Sequence, residues 1–171
     1  MPRNLEDVYA ALTGLTVALK EGARIVVCPA IPIAVPGIGA GAHAAGDCLG
    51  TIRRIRVPKR GIIYSATFWD LDDEGSQVDL EIFRYKITQI ADDAAWAPSD
   101  ADMEHFVAEL AFVAFDDHIN NQTSDITNIG KAYVAPEGLL YVQAVCRGTP
   151  TIVTAPLIQL QILSGDPDWR E

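Results

Sequence analysis

The stretch Val78-Asp79-Leu80-Glu81-Ile82-Phe83 decides the fold class, because the apolar side chains at positions 78, 80 and 82 alternate with two acidic residues and a phenylalanine. Successive side chains of a β-strand point to opposite faces of a sheet, so this period of two predicts a strand with one buried face. Ile158, Leu160 and Ile162 alternate with glutamines in the same way. Both stretches are therefore predicted to be strands of a sandwich.

Short apolar stretches of this kind recur from residue 61 to residue 163, separated by turns rich in Asp, Gly and Pro. Such regular spacing is typical of an all-β sandwich or barrel. One short helix is expected near residues 99–106, because Ser99 is a good N-cap and two aspartates follow it, at the positive end of a helix. The sequence therefore predicts a mainly all-β fold, an antiparallel β-sandwich with an N-terminal extension and one short helix.

The chain is predicted to have three parts. They are an N-terminal helical or extended arm over residues 1–24, a β-sandwich domain over 25–164 and a C-terminal tail over 165–171. The arm is expected to include a helix near residues 5–20, because apolar side chains fall at helical spacing there. These side chains are Leu5, Val8, Tyr9, Leu12 and Leu15. We expect the arm to anchor the domain on a partner.

A proline-rich segment follows a short strand candidate at residues 25–28. Its prolines are Pro29, Pro32 and Pro36. Proline lacks the N–H group that a central strand needs, so the segment is predicted to be an extended edge or arm. Its apolar side chains are poorly suited to an isolated surface and are candidates for contact with a partner. The candidates are Ile31, Ile33 and Val35.

Five of the thirteen basic residues fall within eight positions. They are Arg53, Arg54, Arg56, Lys59 and Arg60. The run lies at the end of a strand predicted from Cys48 to Val57. The simplest interpretation is a solvated strand face, and the alternative is docking on an acidic partner or on acidic loops of this chain. All five residues are candidates for contact with a partner.

Composition limits the possible partners. The chain has 171 residues, which suits a single domain, and its formal net charge is −10. Phosphates would repel such a protein, so the sequence predicts no nucleic acid partner and no anionic membrane partner. No apolar run approaches the roughly 18 residues of a membrane span. The three cysteines, Cys28, Cys48 and Cys146, are widely separated and are predicted to be buried, reduced thiols.

Candidate chemistry is sparse, and the sequence predicts neither an enzyme nor a cofactor. His43, His105 and His118 have no spacing that suggests a metal triad or a base beside a nucleophile. Asp70, Asp72, Glu74, Gly75 and Glu81 match the spacing of an EF-hand calcium loop. The flanking segments are predicted strands rather than helices, so we expect a β-hairpin turn without a metal.

A series of short motifs, taken in order, resembles a group of tailed-bacteriophage virion proteins that decorate, or cement, the head. The motifs are Ala44-Ala45-Gly46-Asp47, Gly61-Ile62-Ile63-Tyr64-Ser65, Val78–Phe83, Ala97-Pro98-Ser99-Asp100-Ala101-Asp102, Asn128-Ile129-Gly130, Leu140-Tyr141 and Arg147-Gly148-Thr149-Pro150. The similarity covers roughly residues 25–163. It implies a jelly-roll-like sandwich on the exterior of the head, made in the host cytoplasm. It also implies binding to the major capsid protein and to itself, as a homotrimer, and it supplies no catalytic residue.

One alternative from a different class stays open. A β-sandwich of this size also suits a carbohydrate-binding tail or host-adhesion module. In that case Trp69, Trp96 or Tyr141 would be exposed as platforms for sugar rings. Packing of the same aromatic residues in a core is the competing interpretation.

Overall fold

The computed structural model describes residues 24–33 and 40–165 of the chain, which form short strands and one helix. In chain order the elements are β1 (Arg24–Val27), β2 (Ile31–Pro32), β3 (Gly41–Ala42), β4 (Cys48–Arg56), β5 (Arg60–Asp70), β6 (Val78–Phe83), α1 (Asp100–Met103), β7 (Phe106–Phe112), β8 (Asp116–Asp117), β9 (Gln122–Ile126), β10 (Lys131–Val134), β11 (Leu139–Cys146), β12 (Thr151–Ile152) and β13 (Leu157–Ser164).

The larger sheet is built around the two long strands β5 and β13, which pair with each other. The outer edge of β13 pairs with β1 and with β2, and the outer edge of β5 pairs with β9 and with β10. The short strand β8 continues the sheet beyond β9. Every one of these pairings is antiparallel.

The smaller sheet has the strand order β4–β11–β6–β7 and is also antiparallel. The strands β3 and β12 form a separate short pair. The main core contains apolar side chains of both sheets, among them Phe68 and Leu160 of the larger sheet and Leu80 and Leu140 of the smaller sheet. The prediction of a mainly all-β, antiparallel sandwich is confirmed.

Both faces of β6 are buried, so the prediction of one buried face is wrong. Leu80 and Ile82 point into the main core, while Phe83 joins Ile87 and Tyr141 in a second apolar cluster. This second cluster lies on the opposite face of the smaller sheet. The alternation along β6 therefore identifies two buried environments, one apolar and one that contains acidic side chains.

The segment between β5 and β6 is not a β-hairpin turn, contrary to prediction. β5 belongs to the larger sheet and β6 to the smaller sheet, so residues 71–77 cross from one sheet to the other. The physical reason is that β6 is an inner strand with neighbours on both sides, β11 and β7. The turn at residues 135–138 also connects the two sheets, and its strands end at Val134 and begin at Leu139 as predicted.

The short helix α1 is confirmed, with Ser99 as its N-cap. The Ser99 hydroxyl accepts a hydrogen bond of 3.2 Å from the backbone N–H of Asp102, and donates one of 2.8 Å to the carboxylate of the same residue. Asp102 also accepts a hydrogen bond from the backbone N–H of Thr88. These bonds, that from Thr88 first, lower the pKa of Asp102.

Residues 24–33 form the edge of the larger sheet, as their prolines predict. The arm was predicted over residues 1–24, but Arg24 begins β1. The rest of the arm with its helix, Val35, and the tail beyond Gly165 lie outside the described residues.

Candidate functional site

The outer face of the larger sheet has a row of apolar side chains that crosses four strands. Ile25 of β1 lies opposite Leu163 of β13, Leu163 lies opposite Ile62 of β5, and Ile62 lies opposite Ala132 of β10. Ile25 is 50% exposed, Leu163 and Ile62 are half-buried, and Ala132 is exposed. Since the other face of these strands fills the core, this row is directed to the outside. We call these four residues the apolar row.

A second set of apolar residues lies farther along the same face. Leu157 of β13 lies between Pro32 of β2 and Trp69 of β5, and all three are half-buried. Gln159 and Thr67 lie opposite each other between the two sets. The outer face of the larger sheet is therefore apolar at two places and polar between them.

The structure corrects the predicted contact role of the proline-rich segment. Ile33 is 1% exposed and belongs to the main core, and its backbone N–H donates a hydrogen bond of 2.9 Å to the carbonyl of Pro156. Ile31 is half-buried and packs against the same core. Because β2 pairs with β13, these side chains are used within the domain. The exposed apolar residues of this edge are instead Ile25 and Val27 of β1.

The predicted basic run lies on β4, an edge strand of the smaller sheet, and on the connection to β5. Arg54, Arg56, Lys59 and Arg60 are exposed, and Arg53 is half-buried. Arg54 pairs in register with Tyr141. Within the described residues, the side-chain ion pairs involve His43 and Arg147 rather than this run. Most of the basic run is therefore open to an acidic surface.

A charged cluster on the outer face of the smaller sheet was not predicted. Glu81 of β6 lies directly opposite Glu109 of β7, and Arg147 Nη2 lies 3.8 Å from a Glu81 carboxylate oxygen and 3.9 Å from one of Glu109. Arg147 Nε donates a hydrogen bond to Asp79. Asp79 and Glu81 are each 5% exposed. We call Asp79, Glu81, Glu109 and Arg147 the charged cluster.

The charged cluster has more acceptors than donors. Asp79 Oδ1 and the side-chain oxygen of Gln143, which lies opposite Glu81, are buried without a hydrogen-bond partner among the described protein groups. Burial first, and then the neighbouring Glu109 carboxyl, raise the pKa of Glu81 to about 7, while Arg147 opposes the rise. The alternation of apolar and acidic residues along β6 predicts this cluster only if the acidic face of the strand is buried as well.

The segment with EF-hand spacing forms a self-contained turn. The Asp70 carboxylate accepts hydrogen bonds from the backbone N–H groups of Asp72, Glu74 and Gly75, at 2.8–3.0 Å. Glu81 belongs to the charged cluster in the smaller sheet instead. Among the described residues, no group of three or more His, Cys, Asp or Glu side chains could hold a metal ion.

The histidines do not form a common site. His43 is 4% exposed, and its Nε2 lies 3.3 Å from Asp92 Oδ1, which also accepts the backbone N–H of Gly50. His105 contacts the ring of Tyr85. His118 Nε2 lies 3.0 Å from the Thr123 hydroxyl at an exposed position. The three histidines are thus in separate places, and the Asp92 contacts connect the His43 loop to β4.

The three cysteines are buried free thiols, as predicted. Burial raises the pKa of Cys28 and of Cys146 to about 12 and that of Cys48 to about 11. The thiolate is the reactive form of cysteine, so these side chains are unreactive at neutral pH.

The aromatic residues that could serve as sugar platforms are largely packed. Tyr141 is 7% exposed, and its hydroxyl donates a hydrogen bond of 3.0 Å to Glu137. Trp96 is half-buried and packs edge-on against Phe83. Trp69 is half-buried on the outer face of the larger sheet, opposite Leu157. The described residues therefore do not place these rings in one open groove.

A groove does lie between the edge strands β7 and β10, and it contains two adjoining cavities of about 340 and 450 Å³. Both cavities are lined by Phe106 and Lys131. Arg84 lines one of them and Glu109 the other. The groove is thus partly apolar and carries charges of both signs. No helix among the described residues has the length and apolarity needed to cross a bilayer.

Comparison with known proteins gives little similarity. No protein-family model matches the chain, and no curated protein matches it. Among solved structures, the chain is similar to TmCBM61, a carbohydrate-binding module whose structure is described in complex with β-1,4-galactotriose. That similarity covers 81% of this chain and 83% of the other, at 12% sequence identity and a TM-score of 0.26. Similarity at this level carries no argument about function.

Proposed function

We propose that this protein is a virion structural protein that decorates a bacteriophage head by binding the lattice of the major capsid protein. The observation that carries the proposal is the apolar row on the outer face of the larger sheet. A solvated antiparallel sheet usually exposes polar side chains on its outer face. A contiguous apolar patch on a protein surface is typical of an interaction site. The ordered motifs that resemble head-decoration proteins suggest the identity of the partner.

The apolar row suits a broad protein surface better than a small ligand. It is carried by four paired strands, so its side chains are held at fixed spacings across the sheet. Burial of apolar surface contributes about 25 cal/mol per Å², and a lattice repeats the same contact many times. A decoration protein needs only a modest free energy of binding per copy under these conditions.

The basic run supports the same proposal through electrostatics. The chain has a net charge of −10, yet four exposed basic side chains are concentrated at the end of β4 and the start of β5. A basic patch increases the rate of association with an acidic surface. Its contribution to that rate falls as salt is added. Self-association as a trimer and a position on the head exterior are parts of the proposal.

Carbohydrate binding remains a prediction from the sequence. The burial of Tyr141 and the packing of Trp96 leave it without a favourable observation in the described residues.

The direct test is binding to empty heads assembled from the major capsid protein. Ile25→Asp and Val27→Asp place a charge on the exposed side of β1, and each should weaken binding by about tenfold, which corresponds to a loss of about 1.4 kcal/mol of binding free energy. Val153→Asp is the matched control, because Val153 is 77% exposed in the loop after β12. This control should bind as the wild type does. Normal binding by Ile25→Asp would rule out the apolar row as the docking surface, and normal binding by Val27→Asp would show that the neighbouring part of β1 lies outside the contact.

A second experiment tests the basic run and the location. Arg54→Glu with Arg56→Glu should weaken binding strongly at low salt and less at high salt, because the Debye length shortens from about 10 Å at 0.1 M to about 3 Å at 1 M. An image of an intact particle should show the protein on the head exterior. A position on the tail or collar would contradict the proposal.

A further inference from the structure

We propose that Glu81 and Glu109 form a carboxyl pair that binds one proton between them and thereby makes the attachment of β7 to the smaller sheet sensitive to pH. The two residues lie opposite each other on neighbouring strands. Their side chains therefore meet on one face of the sheet. The pair is separate from the apolar row and from the basic run, so the inference does not depend on the proposed function.

The geometry of the charged cluster favours a proton on Glu81. Three carboxylates meet one guanidinium group, and Arg147 gives its hydrogen bond to Asp79 rather than to either glutamate. Glu81 is 5% exposed, whereas the side chain of Glu109 is 49% exposed, so the penalty for burying a negative charge falls on Glu81. Burial and the neighbouring carboxylates both disfavour the ionised form of Glu81, so this residue holds a proton beside Glu109.

Among the described residues, the charged side chains that face Glu81 are Asp79, Glu109 and Arg147. Asp79 lies on β6 itself, Glu109 lies on β7, and Arg147 directly follows β11. Gln143 of β11 lies opposite Glu81 and is neutral, and its amide donates to the carbonyls of Leu49 and Ala144. The amide nitrogen is thus directed to the backbone, and no donor from β11 takes the place of the shared proton.

The proton links this pair to stability in a definite direction. The pKa of Glu81 is raised from its ordinary value of 4.5 to about 7 by burial and by Glu109. Between these two pH values the folded chain holds a proton that the unfolded chain has released. Stability must therefore fall as the pH rises through this window, with the contribution of the pair fully present below about pH 4.5 and lost above about pH 7.

The loss has a structural location. β7 is held in the smaller sheet through its pairing with β6, and it has no other strand partner among the described residues. Glu109 also lines the groove between β7 and β10. Ionisation of both glutamates places two like charges directly across the β6–β7 pairing, and such pairs destabilise a sheet. β7 should then open locally before the rest of the domain unfolds.

The test compares the wild type with Glu81→Gln by urea unfolding from pH 5 to pH 8. The glutamine cannot ionise and still donates a hydrogen bond to Glu109. We expect the unfolding constant of the wild type, relative to that of the variant, to rise on the order of 10²-fold across this range. Glu74→Gln is the matched control, because Glu74 is exposed in the turn before β6. The ratio of the unfolding constants of the wild type and Glu74→Gln should not change between pH 5 and pH 8.

Two further measurements keep the proposal falsifiable if Glu81→Gln folds poorly. Glu109→Gln removes the like charge, so the pH-dependent loss of stability should move to lower pH. Amide hydrogen exchange at pH 8 should be faster in β7 of the wild type than in β7 of Glu81→Gln, with equal rates in β5. A ratio of unfolding constants that does not change between pH 5 and pH 8 overturns the proposal, and so does equal exchange of β7 in the two proteins.

Discussion

The hydroxyl of Tyr133 donates a hydrogen bond of 3.0 Å to the backbone carbonyl of Pro58 in the interior of the protein. The two residues are 75 positions apart in the chain. Pro58 belongs to the connection between β4 and β5, and Tyr133 lies on β10, so this bond fixes the crossing between the two sheets. Burial also raises the pKa of the Tyr133 hydroxyl, which keeps it protonated as a donor.

Tyr133→Phe should lower the free energy of unfolding by about 1–2 kcal/mol, because it leaves the buried Pro58 carbonyl without this donor. The measurement is urea unfolding followed by circular dichroism. Tyr64→Phe is the control, since Tyr64 lies on the same sheet and is 37% exposed. Equal stability of the two variants would show that the hydrogen bond contributes nothing beyond packing.

Gly61→Ala should destabilise the protein by about 1–3 kcal/mol, because the site cannot accept a methyl group. A Cβ atom at Gly61 would lie 2.7 Å from Ile162 Cγ2 and 3.1 Å from the carbonyl oxygen of Leu163. The measurement is thermal unfolding, in which Gly61→Ala should have a lower Tm than the wild type. Gly165→Ala is the control, since a Cβ there meets no atom within 4 Å. A Tm equal to that of the wild type would contradict the close packing of β5 on β13.

Asp72→Ala should release the loop that follows β12. The Asp72 carboxylate accepts hydrogen bonds from the backbone N–H groups of Val153 and Thr154, at 2.6 and 2.7 Å. The variant should show faster hydrogen exchange of these two amides and a loss of about 1–3 kcal/mol, as for hydrogen bonds to a charged group. Asp116→Ala, at an exposed position, should leave both amides unchanged.

The three cysteine thiols should react only slowly with thiol reagents in the native protein. The pKa values of the three cysteines are raised to about 11–12 by burial, so almost no thiolate forms at pH 8. Ellman's reagent should therefore label the folded protein slowly and label three thiols at once after unfolding in guanidinium. Rapid labelling of one thiol at pH 8 would show that a described cysteine is accessible.

The sequence predicts local structure well where the pattern depends on neighbouring residues. The strand from Cys48, the N-cap at Ser99, and the turn before Leu139 are all confirmed. Each depends on side-chain alternation or on capping chemistry within a few positions. These local preferences do not state which sheet a strand joins. For that reason the connection from Asp70 to Val78 was predicted as a hairpin and is a crossing.

The candidate contact residues show the same limit. Period-two alternation tells which side chains share a face but not what covers that face. Ile33 was predicted to contact a partner, but its side chain is buried in the main core. The exposed isoleucine of this edge is Ile25. The pairing of Glu81 with Glu109 joins residues 28 positions apart on neighbouring strands, and only the register of the sheet brings them together.

Pro32 limits how this edge of the larger sheet can pair with a strand of another molecule. It occupies the position between Ile31 and Ile33, and the N–H of Ile33 is the one that bonds inward, to Pro156. The proline therefore stands where an ordinary residue would direct its N–H away from the sheet. Among the described residues no further strand covers this edge. An incoming strand meets a missing donor there, so this edge resists the strand-by-strand joining that leads crowded β-proteins to aggregate.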